Sequence, residues 1–84
     1  MKTIKYNNKT IKLPFAGADY GTDPLEMETV TNPFSGQSIA MPKFAVAVYD
    51  VIIGSEMLGD YKTVRQGLDW FTKHFTKEYM VLLD

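Results

Sequence analysis

The chain reads as an α+β protein, with β-hairpins in residues 1–41 and helices in residues 42–84 of a single domain. Three observations predict this. Apolar and polar residues alternate around turn-forming residues in the first part, a wide apolar helical arc begins after Pro42, and a second helical repeat follows Gly59-Asp60. The expected arrangement is two N-terminal hairpins, forming one small antiparallel sheet, packed on a C-terminal helical hairpin.

Residues 2–13 form the first expected hairpin. Asn7-Asn8 suits a two-residue turn, because asparagine tolerates the positive φ that such turns demand. Ile4 then faces Ile11, with Tyr6 and Leu13 on the same side and Thr3, Lys5, Thr10 and Lys12 on the other. Residues 14–24 are rich in glycine, proline and aspartate and read as a loop pinned by Phe15 and Tyr20. Residues 25–41 form the second hairpin, turning at Asn32-Pro33-Phe34-Ser35-Gly36. Turn chemistry explains Asn32, Pro33 and Gly36. It does not require an aromatic at Phe34, which either tucks under the hairpin, the default, or meets a partner.

Pro42 opens helix one, residues 42–58. Phe44, Ala45, Val46, Val48, Tyr49, Val51, Ile52, Ile53 and Leu58 cover about two-thirds of its circumference, whereas a surface helix needs an apolar arc of little more than about 100°. Lys43, Ala47, Asp50 and Gly54 remain as a wet stripe. Such a helix must be central, covered on two sides, or shared with a second subunit. Gly59 stops it and Asp60 caps helix two, residues 61–75. Tyr61, Val64, Leu68, Phe71 and Phe75 make a seam suited to helix one. Trp70, Gly67 and His74 form a second face, over which Tyr79-Met80-Val81-Leu82-Leu83 is expected to fold, as a short helical turn begun at Thr76 or as a strand.

Composition removes several function classes. The chain has no cysteine and one histidine, so thiolate chemistry, Cys-based zinc sites and multi-histidine metal sites are excluded, and no cofactor is implied. A net charge of −1 argues against nucleic-acid binding through bulk positive charge. Lys2, Lys5, Lys9 and Lys12 still form a basic ribbon, followed by Asp19, Asp23, Glu26 and Glu28. The two segments are expected to lie together and offset each other. The most apolar run, Phe44 to Ile53, carries Asp50 and is too short to span a bilayer. With no signal-peptide pattern, a cytoplasmic protein without a membrane partner is the expectation.

No catalytic constellation stands out. His74 with Ser35, Ser38 or Ser55 lacks a nucleophile-elbow context, and Asp60 occupies the lysine position of a phosphate loop. Asp50, the one acid in an apolar helix, is a weak proton-carrier candidate, and His74 is better explained by packing. The candidate interaction surface comprises Phe34, Phe44, Val48, Val51, Ile52, Trp70 and His74.

From Asn32 onward the chain resembles small uncharacterised proteins of tailed bacteriophages, especially those of marine cyanobacteria. The resemblance rests on Asn32-Pro33-Phe34-Ser35-Gly36, Tyr49-Asp50, Gly67-Leu68-Asp69-Trp70-Phe71 and Tyr79-Met80-Val81-Leu82-Leu83-Asp84. It implies a phage origin and the host cytoplasm, and transfers no mechanism. The expected function is a non-enzymatic interaction module that binds a phage or host protein, with a homo-oligomer through helix one as one form. The alternatives are a minor virion or assembly component, and a small ligand-binding protein or enzyme using Asp50, Trp70 and His74.

Overall fold

The computed structural model describes residues 2–83. The fold is α+β: β1 (Thr3–Tyr6), β2 (Lys9–Lys12), β3 (Met27–Thr31) and β4 (Ser38–Pro42) precede α1 (Lys43–Leu58), α2 (Tyr61–His74) and α3 (Thr76–Leu82). The strands pair as two separate antiparallel sheets, β1–β2 and β3–β4, rather than one. Among the described residues, no helix is long and apolar enough to cross a membrane.

Local chemistry sets the turns. Asn7 and Asn8 take φ of 51° and 63°, and Ile4 pairs with Ile11 in the expected register. In the second hairpin Gly36 takes φ of 76° and its N–H donates to the Asn32 carbonyl at 2.9 Å. Val30 pairs with Ile39 and Glu28 with Met41. Those four lie on the face toward the helices, which leaves Leu25 and Met27 largely exposed.

Pro42 is the residue before α1 and still belongs to β4. The first N–H groups of α1 find backbone acceptors instead of a side-chain cap: Lys43 donates to the Glu26 carbonyl at 2.8 Å and Phe44 to that of Pro24 at 3.0 Å. The second hairpin is thereby tied to the helix start. At the other end Gly59 sits at φ 75°, and the N–H groups of Gly59 and Asp60 donate to Glu56 and Ser55. That is a Schellman closure. Asp60 caps α2, its Oδ1 accepting from the Thr63 N–H at 3.3 Å and its Oδ2 from the Thr63 hydroxyl at 2.7 Å.

Helix α1 is central. Helix α2 packs along it, and both strands of the second hairpin touch it. Phe44 is fully buried in an aromatic cluster, with ring centroids 5.5 Å from Tyr6, 5.7 Å from Phe75 and 6.2 Å from Trp70. The Phe44, Ala45, Val46, Val48 and Ile52 part of the wide apolar arc is thus buried within the chain, while Leu58 at its end is exposed.

The buried stripe of α2 differs from the expected seam. Val64, Gly67, Trp70 and Phe71 face inward, while Tyr61 is exposed and Leu68 half-buried. Gly67 marks a close approach to α1, because a Cβ there would collide with the Ile52 side chain and lie 3.2 Å from Phe15. The Trp70 indole Nε1 donates to the Lys12 carbonyl at 2.6 Å, and Gln66 Nε2 to that of Pro14 at 2.7 Å. The Gly67–Trp70 face is therefore covered by residues 12–15 and not by the C-terminal segment. That segment forms α3, a helix packed on α2 and β4. Thr76 does not cap it; its hydroxyl donates back to the Thr72 carbonyl at 2.6 Å.

Candidate functional site

The residues singled out from sequence divide sharply. Phe44, Val48 and Ile52 are 0% exposed and belong to the core, so they cannot serve as a binding face. Van der Waals contact within the chain already uses the surface a second subunit would need there. Val51 is half-buried, and Trp70 is buried with its only donor engaged. His74 is half-buried against Trp70, with ring centroids 5.3 Å apart. Burial, followed by the charges of Lys73 and Lys9, holds its imidazole below the ordinary value.

Phe34 is the exception, at 96% exposure. Tucking under the hairpin was the default expectation, and the side chain points outward instead. The turn carrying it is held from both sides. Asn32 Oδ1 accepts from the Phe34 N–H at 2.9 Å, closing an Asx turn, while Asn32 Nδ2 donates to the Val81 carbonyl at 2.9 Å. Below the turn, the Asn32 N–H donates to the Gln37 carbonyl at 2.8 Å and the Thr31 and Ser38 hydroxyls lie 2.7 Å apart. A bare aromatic thus stands on a braced backbone.

A second apolar cluster was missed in sequence. Met57 and Leu58 at the end of α1, and Tyr61 at the start of α2, are 83%, 86% and 69% exposed around the helical corner. Spacing alone assigns Leu58 to the core arc and Tyr61 to the seam, and the structure exposes both. The Schellman closure turns the chain before α2 can cover them, a consequence of Gly59 that periodicity does not show. From Tyr61 an open groove of about 410 Å³ runs along α2 past Arg65, Leu68, Asp69 and Thr72, walled by Tyr79 of α3.

An acidic cleft of about 260 Å³ lies on another side, between Asp19-Tyr20-Gly21, Glu28 and the Lys43, Val46, Ala47 and Asp50 stretch of α1. Partial burial, then the charge of Glu28, raises the Asp50 carboxyl above its usual range. Lys43 is engaged by Glu26 at 2.9 Å. The Tyr20 hydroxyl closes the loop behind the cleft, donating to the Phe15 carbonyl at 2.9 Å and accepting from the Phe15 N–H at 3.2 Å. Burial raises its pKa, with the bond to Phe15 opposing. Among the described residues, no group of three or more metal-ligating side chains is placed to hold an ion.

Among the described residues no ion pair joins the basic ribbon to the acidic segment. Lys43–Glu26 is the one ion pair among the described residues, and Lys2 contributes only a contact 5.9 Å above the Tyr20 ring. Comparison with known protein families, with curated proteins and with solved structures finds no match to this chain.

Proposed function

We propose that the protein is a non-enzymatic interaction module of a phage, presenting Phe34 to a pocket on a phage or host protein during infection. One observation carries this reading: Phe34 is almost wholly exposed on a turn whose backbone is already fixed by Asn32. Aromatic side chains dominate binding hot spots, and a fixed backbone reduces the ordering cost of association. No feature of the turn's own chemistry asks for an aromatic at this position, so a partner supplies the reason for it.

The test is affinity capture from infected host cells with the wild-type chain and Phe34→Ala in parallel. The variant is expected to fold with unchanged stability, since the side chain makes no buried contact, and to lose at least about tenfold in affinity for the captured partner, the level of a hot-spot residue. Equal capture by both proteins would remove Phe34 as the contact.

A further inference from the structure

We infer that the chain self-associates through α2, as an antiparallel pair of α2 helices related by a two-fold axis near Leu68. The groove on α2 supplies the surface. At 100° per residue, Tyr61, Arg65, Leu68 and Thr72 fall within one narrow stripe, with Asp69 at its edge, on the side of the helix turned away from the buried Gly67 and Trp70. Spacings of four, three and four are those of a helix–helix seam, and inside this chain Tyr79 of α3 borders the stripe and leaves it open as the groove.

Charge selects the occupant. Arg65 and Asp69 both line the groove, and neither forms an ion pair with the other or with any described residue. A two-fold axis midway between Arg65 and Asp69, level with residue 67, brings Leu68 against its own copy with an offset of about 3 Å along the helix. It also sets each Arg65 beside Asp69 of the second copy, two opposite-charge contacts from one symmetry operation. Their separation of four positions is about 6 Å along the helix, which places both pairs on the flank of the leucine contact. A two-fold interface must be self-complementary, and this stripe carries both signs in the order that requirement sets. Tyr61, 69% exposed, begins the stripe, and Met57 and Leu58 just before it in the chain are exposed as well. The proposal replaces the helix-one face, which is spent in the core, and is independent of Phe34.

Light scattering after size exclusion, across a concentration series, tests it. The wild-type chain should move toward twice its 9.5 kDa mass as concentration rises. Arg65→Glu and Asp69→Lys each make both contacts repulsive, and each should weaken self-association by at least about tenfold. Mixed in equal amounts, the two variants regain opposite charges across the interface and should dimerise with each other. Circular dichroism of each variant alone checks that it is folded. A wild-type monomer at the highest concentration overturns the proposal. So do variants that dimerise as well as wild type, or folded variants that stay monomeric when mixed.

Discussion

The Asn32 side chain donates from Nδ2 to the Val81 carbonyl at 2.9 Å, joining the turn of the second hairpin to the last helix across 49 positions of chain. Val81 lies in the final turn of α3, where carbonyl groups have no acceptor role left inside the helix. The same amide holds the Phe34 N–H through its oxygen. One side chain therefore caps a helix end and fixes the turn that presents Phe34.

Replacing Asn32 by alanine should destabilise the fold by about 1–3 kcal/mol, two hydrogen bonds at about 0.5–1.5 kcal/mol each. Asn32→Asp separates the two bonds. It retains an acceptor for Phe34 but sets a carboxylate oxygen against the Val81 carbonyl, so at neutral pH it should recover little of the loss. Urea denaturation of the three proteins measures this. An aspartate variant as stable as wild type would show that the bond to Val81 contributes nothing.

Gly67 and Gly54 are both helix-interior glycines in different surroundings. A Cβ at Gly67 meets Ile52 and Phe15, whereas one at Gly54 meets nothing within 4 Å. Gly→Ala in a helix gains about 1 kcal/mol from propensity, and overpacking a core costs about 1–3 kcal/mol. Gly54→Ala should therefore stabilise by up to about 1 kcal/mol, while Gly67→Ala should destabilise by up to about 2 kcal/mol. If thermal melts placed Gly67→Ala above wild type, the close packing of α1 on α2 would be wrong.

What sequence revealed and what it hid divide along the range of the interaction. Asn7-Asn8, Gly36, Gly59 and Asp60 act within a few residues of themselves, and each sits in the turn or cap its chemistry demands. The α2 seam was misplaced because two contacts outside the helix rotate it: Ile52 seated at Gly67, and the Lys12 carbonyl that accepts from Trp70. A regular spacing of apolar residues cannot report either one. Helix α1 showed the opposite ambiguity. Its arc demanded cover, and only the placement of the second hairpin and α2 identifies the cover as internal. Phe34 had no local signal in either direction, so its exposure became visible only with the turn in place.

Two titratable groups should tilt stability in opposite senses with pH. Burial, aided by Glu28, raises Asp50 above 3.8, so the folded state holds this proton more tightly than the unfolded chain. Its stabilising contribution is complete below 3.8 and is lost as pH rises through the folded value. Asp50→Asn should accordingly raise the melting temperature near neutral pH and change it little in acid. Burial, with Lys73 and Lys9, lowers His74 below 6.5, so here the folded state favours the neutral ring. That contribution is complete above 6.5 and is lost as pH falls through the lowered folded value. His74→Gln should flatten the pH dependence in this window alone, leaving the Asp50 effect at lower pH intact. Proton NMR titration of the imidazole, followed beside melts of both variants, checks the assignment. A His74 that titrates at or above 6.5 would contradict its half-buried place against Trp70.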